Sequence, residues 1–244
     1  MTNPTPTSGD TSKVCVRGTS MRLATGNRSL ALCAQMNYET ENLDFIDAMA
    51  PGQVLYDLGA CEGRFALYAA IKGIRTIALE PERQNFQTLV QNVALNFPDG
   101  TDRLTAMNLA VGATTHQGTL DIGQDWAGGH QKVVRHGASR QDLTFDPIAQ
   151  QSVRVVALDE LIQQEDLPQP DCLKVDVDGS EQAFIDGARQ TLSGLSVRAL
   201  IIELLTTDPA STAIRADLTS LGYRVIAQHP VPHEPNLANV VFAR

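Results

Sequence analysis

The stretch that decides the fold is VLYDLGACEG, residues 54–63 of a chain of 244 residues. It begins as an apolar run with β-branched and aromatic members, and it ends in a loop that contains Gly59 and Gly63. An amphipathic helical pattern follows from Arg64 to Lys72. Strand, tight loop and helix in this order predict the first half of a nucleotide-binding βαβ unit.

The loop lacks one glycine that a pyrophosphate site needs. In the dinucleotide fingerprint G-x-G-x-x-G, the middle glycine lets the backbone approach a phosphate, and no glycine stands between Gly59 and Gly63 here. Asp57 and Glu62 flank the loop. They would repel a diphosphate, but they favour a ligand with a cationic amine and a sulfonium next to an adenosine. The stretch therefore predicts S-adenosylmethionine as the ligand and methyl transfer as the reaction.

The second half of the unit supports the same ligand. Residues 76–80 form a short apolar run that ends in Glu80, 23 residues after Asp57. In nucleotide-binding folds an acidic side chain about 20 residues further along meets the ribose hydroxyls, and we expect Glu80 to do so. The alternative is that Glu80 only caps the surface end of an ordinary buried strand.

Alternating strand and helix patterns run through most of the chain and favour one α/β domain. Hydrophobic residues make up 43% of the chain, which is enough for a sizeable core. The net charge of −9, from 28 acidic and 19 basic residues, disfavours general binding to nucleic acid. The four cysteines show no C-x-x-C spacing, so neither a zinc site nor a disulfide framework is expected. No apolar run reaches the ~18 residues of a membrane span. This predicts a cytoplasmic protein, and a homo-oligomer is compatible with the sequence.

Four regions are expected along the chain. Residues 1–12 are polar and predict a disordered tail, residues 13–50 an N-terminal cap segment, and residues 51–244 the methyltransferase domain, with residues 113–152 as an inserted lid. The insertion holds the single tryptophan, Trp126, and a cluster of cationic residues and histidines: His130, Lys132, Arg135, His136 and Arg140. A loop of this length usually has a function or is disordered. The alternative to a substrate-facing lid is a mobile, solvated connection.

Five short motifs follow one another along the chain: DLGACEG at 57–63, LEP at 79–81, LAVG at 109–112, ALDEL at 157–161 and LKVDVDGSE at 173–181. Together they resemble the FkbM-type methyltransferase family. The family's version of the last motif is close to K-[IV]-D-[VI]-E-G-x-E, and Asp178 stands here in place of the usual glutamate. The matches run in the right order over residues 50–244, but they are poor before residue 50 and within 123–150.

The resemblance implies the Rossmann-like α/β fold of class I methyltransferases. Its core would be a seven-stranded, mostly parallel sheet with helices on both faces and a C-terminal antiparallel hairpin. The implied cofactor is S-adenosylmethionine, and the implied reaction is O-methylation of a hydroxyl group on a small molecule such as a sugar or a polyketide. The resemblance does not fix the acceptor, because the lid is where this chain matches the family least.

Cofactor-binding residues are expected at the carboxyl ends of the strands, where ligands lie in open parallel sheets. A third strand is predicted over residues 104–111, and its carboxyl end would border the adenine. The candidates are Asp57, Gly59, Ala60 and Gly63 for the methionine part, Glu80 for the ribose, Asn108 and Leu109 for the adenine, and Asn85 on the helix after Glu80.

The acceptor is expected near the carboxyl end of the fourth core strand, which carries Lys174, Asp176 and Glu181. Asp176 is the preferred base or acceptor-orienting group, and Lys174 would polarise the substrate oxygen or lower its pKa. Glu203, at the end of the next strand, is a second candidate. The alternative is that Lys174 and Asp176 form a structural ion pair and that Glu181 completes a helix start.

No metal site is predicted. Asp176-x-Asp178-Gly looks like the start of a calcium loop, but that loop needs a glutamate at its twelfth position, which is Gly187 here. The histidines at 130, 136, 229 and 233 match no motif, and a Mg²⁺ ion shared by Asp176 and a diol acceptor stays open. Two other functions also stay open. One is an NAD-dependent oxidoreductase, which the missing glycine disfavours, and the other is a scaffold that binds the cofactor without turnover.

Overall fold

The computed structural model describes residues 10–135, 145–231 and 234–244. His136, Arg140 and His233 lie outside these ranges, as does most of the predicted tail. None of the helices in these ranges combines the length and the apolar character that a membrane-spanning helix requires.

The N-terminal segment folds as a hairpin and two short helices: β1 (Thr11–Val16), β2 (Thr19–Ala24), α1 (Arg28–Cys33) and α2 (Thr40–Asp47). Strand β1 begins at Thr11 and pairs antiparallel with β2, so ordered structure starts inside the tail predicted over 1–12. Met21 and Leu23 are buried in the same apolar cluster as Leu55 and Phe65. The segment therefore contributes to the core of the domain.

Strands and helices alternate in the next part of the chain: β3 (Val54–Leu58), α3 (Arg64–Ile71), β4 (Arg75–Leu79), α4 (Arg83–Asn96) and β5 (Leu104–Met107). The prediction of one strand over 104–111 is wrong, because β5 ends at Met107. At the break, the Asn108 side chain donates hydrogen bonds to the carbonyls of Glu80 and Pro81, at 2.8 and 2.9 Å. The chain then leaves the sheet.

The following residues form a separate sheet with the strands β6 (Ala110–Val111), β7 (His116–Ile122), β8 (Lys132–Val134) and β9 (Ala149–Val156). Its order over the described residues is β6-β9-β7-β8. Leu120, Ile122, Val153 and Val155 of this sheet are buried in one apolar cluster. Much of the segment predicted as a lid over 113–152 is thus sheet, although its middle lies outside the described residues.

The remainder of the chain returns to alternating elements: α5 (Leu158–Gln164), β10 (Cys172–Val175), α6 (Glu181–Gly187), α7 (Arg189–Ser193), β11 (Ala199–Leu205), α8 (Pro209–Ser220), β12 (Arg224–Val231) and β13 (Glu234–Ala243). Strand β10 is buried along its whole length. Its apolar residues Cys172, Leu173 and Val175 are typical of a strand covered on both faces, and Lys174 is the charged residue among them.

The main sheet has seven strands within the described ranges, in the order β12-β13-β11-β10-β3-β4-β5. Strand β13 is antiparallel to β11 and β12, while the other pairs are parallel. The predicted mostly parallel sheet with a C-terminal antiparallel hairpin is confirmed. The chain runs outward from β3 to β5 and starts again at β10, beside β3. Ligands of open α/β sheets bind at such a switch point, outside the carboxyl ends of the strands.

Candidate functional site

The loop after β3 packs so closely that two of its positions require glycine. Gly59 and Gly63 have φ angles of +78° and +86°, which residues with a side chain rarely adopt. A Cβ atom on Gly59 would lie 1.7 Å from the carbonyl oxygen of Asp176, and one on Gly63 would lie 2.2 Å from Cδ1 of Leu89. The two glycines therefore let the loop touch the end of β10 and the helix α4.

A first cavity lies at the carboxyl ends of β3, β4 and β10. Seven of the predicted site residues line it: Gly59, Ala60, Glu80, Asn85, Leu109, Lys174 and Asp176. Its free space is only about 70 Å³, because Glu39 from the N-terminal segment and His130 and Lys132 from the insertion also form its wall. A ligand of nucleoside size would enter only when some of these side chains move.

Three predicted cofactor residues lie outside the wall of the first cavity. Asp57 is fully buried at the end of β3, and Gly63 packs against α4 instead. The Asn108 amide is occupied by the carbonyls of Glu80 and Pro81. Direct contact with a ligand was predicted for all three, but their positions favour supporting roles in the loop and strand ends.

Lys174 connects the loop, β3 and β10 in one buried ion-pair network. Its Nζ lies 3.1 Å from Oδ1 of Asp57 and 3.5 Å from Oδ2 of Asp176, and it donates to the carbonyl of Gly59 at 3.3 Å. Burial lowers the pKa of Lys174, but attraction by Asp57 and Asp176 outweighs it and the pKa is raised. The ammonium therefore stays charged at neutral pH. This network includes the ion pair of Lys174 with Asp176 that the alternative interpretation predicted. Lys174 nevertheless lines the first cavity.

Glu80 holds the loop to the end of β4 through its carboxylate, which accepts hydrogen bonds from the backbone N–H groups of Cys61 and Glu82, both at 2.8 Å. The side chain is buried, and burial raises its pKa from 4.5 to about 7. Each carboxylate oxygen has a second lone pair. Glu80 can thus still accept two hydroxyl groups of a diol from the cavity.

The N-terminal segment supplies a functional candidate that sequence analysis missed. Glu39 is ion-paired with Arg64, with Oε2 at 2.7 Å from Nη2, and the Arg64 guanidinium lies 4.5 and 4.4 Å from the ring centres of Tyr38 and Phe65. Glu39 lies before residue 50, where the match to the family motifs is poor, so neither spacing nor motif could have pointed to it. Its place in the site depends on long-range packing.

The insertion is fastened to the same cavity by two contacts of Lys132. Its Nζ lies 2.8 Å from Oε2 of Glu82, and both side chains are buried. Its backbone N–H donates to Oδ2 of Asp178 at 3.0 Å. In addition, the Asn85 side chain accepts a hydrogen bond from the N–H of Gly128 at 2.8 Å. The segment predicted as a substrate-facing lid therefore also forms part of the first cavity.

Three carboxylates meet beside the first cavity, and two of them, Glu39 and Asp176, line it. One oxygen each from Glu39, Asp176 and Glu203 lies within 4.8 Å of the others. Carboxylates this close repel one another unless a proton, a donor or a cation lies between them. Burial, together with the charge of Asp176, raises the pKa of Glu203 to about 10. In the site as it stands, Glu203 is therefore protonated at neutral pH.

A second cavity of about 450 Å³ adjoins the first. The two share Val134 and Asp178, and the second is lined by the predicted residues Glu181 and Glu203 as well. This volume lies within the range of about 300–1,000 Å³ that is usual for small-molecule sites. The predicted catalytic residues are thus divided, with Lys174 and Asp176 on the first cavity and Glu181 and Glu203 on the second.

Comparison with known families agrees with the sequence motifs. The model of the Methyltransferase FkbM domain matches residues 57–225, more than half of the chain. The resemblance predicted from the motifs is therefore confirmed. The match begins at Asp57 and does not include Glu39 or the rest of the N-terminal segment.

Two individual proteins indicate how far this similarity extends. The hexuronic acid methyltransferase AglP of Haloferax volcanii is 26% identical over 155 residues, which are 62% of this chain and 55% of AglP. The crystal structure of methyltransferase FkbM from Methylobacillus flagellatus KT is 20% identical with a TM-score of 0.55, and the match covers 80% of this chain and 44% of that one. This chain thus spans about half the length of both proteins, and the structural likeness shows a shared fold.

Proposed function

The chain belongs to the FkbM methyltransferase family, and from this premise we propose that it transfers a methyl group from S-adenosylmethionine to a hydroxyl group of a small molecule. The observation that carries the proposal is the convergence of the glycine loop, Glu80 and Asp176 on one cavity at the switch point of the sheet. The sugar named for the relative from Haloferax volcanii supports a carbohydrate as the acceptor.

The residues of the first cavity fit this cofactor. Gly59 has no side chain between a ligand and its backbone, and the Glu80 carboxylate can accept the two ribose hydroxyls. Leu109 offers an apolar surface to the adenine. The cofactor, when bound, supplies a methyl group on a sulfonium that is already activated for displacement. No metal is part of the proposal, and a metal-free reaction stays a prediction.

Asp176 is the residue we propose to orient the acceptor hydroxyl and to take its proton. Holding two reactants in attack geometry supplies about 7–11 kcal/mol, whereas a general base adds about 10²- to 10⁴-fold in rate, so positioning is the larger contribution. Glu203 is less suited to be the base, because its pKa of about 10 keeps it protonated. Lys174 remains charged, with its Nζ 3.5 Å from Oδ2 of Asp176.

Calorimetry with the purified protein tests the function directly. We expect S-adenosylmethionine and S-adenosylhomocysteine to bind and NADH not to bind, and labelled donor to methylate at least one member of a panel of hydroxylated acceptors. Binding of NADH without binding of S-adenosylmethionine would instead support the oxidoreductase. Binding of the methyl donor with no transfer to any acceptor would support the scaffold that binds without turnover.

The affinity for the cofactor is expected to depend on pH through Glu80. Because its pKa in the empty site is about 7, the carboxyl group is protonated below that pH and loses lone pairs for the ribose hydroxyls. The Kd for S-adenosylhomocysteine should rise by up to about tenfold for each pH unit below 7, as measured by calorimetry from pH 5.5 to 8.5. In Glu80→Gln the Kd should be higher at pH 8 and nearly independent of pH.

The matched control is Glu160→Gln, which removes a carboxylate from the exposed side of α5 and should keep the wild-type profile. A pH profile of affinity that is equally steep in Glu80→Gln would refute the role of Glu80.

The contribution of Glu80 to the free energy of unfolding should depend on pH in the opposite sense. A carboxyl group with a raised pKa contributes its full stability below its ordinary pKa of 4.5, and this contribution is lost as the pH rises to about 7.

A further inference from the structure

We propose that the second cavity binds the methyl acceptor, and that it selects hydroxyl-rich acceptors that carry no negative charge. This inference rests on the proposed function, because the second cavity adjoins the first at Val134 and Asp178. Glu203 on its wall lies within 4.8 Å, oxygen to oxygen, of Asp176 on the wall of the first cavity. An acceptor in the second cavity would therefore place a hydroxyl group beside the proposed base.

Acidic groups outnumber basic ones on the wall of the second cavity. Its acidic residues are Asp121, Asp178, Glu181, Glu203 and Asp208, and Arg135 is the basic one among the lining residues described. Like charges brought together across a binding site oppose binding. Asp121 is neutralised by Arg135 and Glu203 is protonated at neutral pH, so a carboxylate or phosphate on the acceptor would meet repulsion from Asp178, Glu181 and Asp208.

Arg135 is not available to bind an anionic acceptor. Its guanidinium binds Asp121 through two hydrogen bonds, from Nε at 2.9 Å and from Nη2 at 2.7 Å. Asp121 is fully buried and also accepts a hydrogen bond from the Gln150 side chain at 2.7 Å. If Arg135 turned towards a ligand, a buried carboxylate would lose its cation, which is strongly unfavourable.

The N-terminus of α8 also faces the second cavity, but its donors are already used. Helix N-termini attract anions, and Asp208, Ala210 and Ser211 line the cavity here. The Asp208 carboxylate caps this helix by accepting the N–H of Ala210 at 2.8 Å, and Pro209 has no N–H group. A negative charge from the protein itself thus occupies the place where an anion would bind.

Other groups on the wall favour a ligand that donates hydrogen bonds. The Oε1 atom of Gln182 is buried and has no hydrogen-bond partner within the described part of the molecule, while its Nε2 donates to Asp186 and Asp217. A buried acceptor of this kind is costly unless a donor reaches it. A hydroxyl or amine on the ligand supplies that donor once the Gln182 side chain turns its oxygen towards the cavity, and a carboxylate cannot supply it.

Apolar side chains complete the wall and suit the carbon face of a sugar ring. They are Val133, Val134, Phe145, Leu205, Ile214 and Leu237. Small-molecule sites typically combine such a surface with a few polar groups that fix orientation. The acceptor inferred is therefore a neutral or amine-bearing glycoside, which differs from the hexuronic acid named for the relative.

The test compares three methyl glycosides that differ at one position, a neutral hexose, its amino analogue and its uronate. Binding to the complex with S-adenosylhomocysteine is measured by saturation-transfer NMR at pH 8, so that it is detected without turnover. We expect the neutral and amino forms to bind and the uronate to bind at least about tenfold more weakly. Equal or tighter binding of the uronate, or no binding of any of the three at millimolar concentration, would overturn the proposal.

Two variants test whether the acidic wall causes the selection. Glu181→Gln and Asp178→Asn each remove one carboxylate and keep an oxygen that can accept the backbone N–H now bound to it. Asparagine also tolerates the positive φ of residue 178. Each variant should reduce the preference for the neutral hexose over the uronate by about three- to tenfold, while Glu160→Gln should leave this preference unchanged. A preference unchanged in both variants would refute the inference. Cofactor binding, measured separately, reports on the proposed function.

Discussion

Replacing Lys174 with methionine is expected to destabilise the fold by about 3–5 kcal/mol, because breaking a buried ion pair leaves an uncompensated charge in the interior. Asp57 is fully buried and Lys174 is nearly so, and the described structure gives Asp57 no hydrogen-bond partner with good geometry. The ammonium 3.1 Å away is therefore its main compensation. Denaturant unfolding followed by circular dichroism measures the change.

Lys72→Met is the matched control for this substitution. Lys72 forms an ion pair with Asp47 at 2.6 Å, but both side chains are about 30% exposed, and pairs of this kind contribute about 0–1 kcal/mol. The double variant Asp57→Asn/Lys174→Met should recover part of the lost stability, since it also removes the unpaired carboxylate of Asp57. If Lys174→Met cost no more than Lys72→Met, the ion pair of Lys174 with Asp57 would not contribute the stability expected of a buried pair.

The sequence predicted those residues of the site whose positions depend on a single strand and the loop that follows it. Gly59 lies one residue beyond a buried strand and Glu80 follows the next strand, so the two are brought together by the pairing of β3 with β4. Parallel neighbours end at the same edge of a sheet, and a motif of strand, loop and helix fixes which edge that is. The positions of Lys174 and Asp176 follow in the same way from β10.

The remainder depended on contacts between distant segments, for which the sequence carries no periodic signal. Residues 104–111 are mostly apolar, so their pattern conceals the break at Asn108, where a side-chain amide turns the chain out of the sheet. Glu39 reaches the cavity through Arg64, 25 positions away. Arg135 was recognised as a cation, but its pairing with Asp121 inside the insertion makes it part of the wall instead of a free ligand for anions.

Asp57 is an instructive intermediate case. The sequence placed it correctly at the end of β3, and the structure leaves its side chain below the loop, fully buried. Position along a strand predicts which edge a residue occupies, but burial decides whether it meets a ligand. For Asp57 the contact with Lys174 suggests an indirect role, in which it holds the ammonium that in turn lies beside Asp176.

Asp176→Asn is expected to lower kcat by about 10²- to 10⁴-fold, the usual contribution of a general base, while the Kd for S-adenosylhomocysteine changes little. The side chain lies on the wall of the first cavity and keeps some exposure to it, so an acceptor can reach the carboxylate. The amide has the same shape but cannot take a proton. Initial rates with labelled methyl donor, and calorimetry on the same preparations, separate the two effects.

Glu203→Gln is the control that separates proton removal from shape. Because Glu203 is already protonated at neutral pH, an amide resembles its resting state and should reduce kcat by less than about tenfold. If both substitutions had similarly small effects on kcat, positioning alone would account for the rate. That outcome would agree with the larger contribution expected from approach geometry. A large loss in Glu203→Gln with none in Asp176→Asn would instead move the base to the second cavity, on the acceptor side of the cluster.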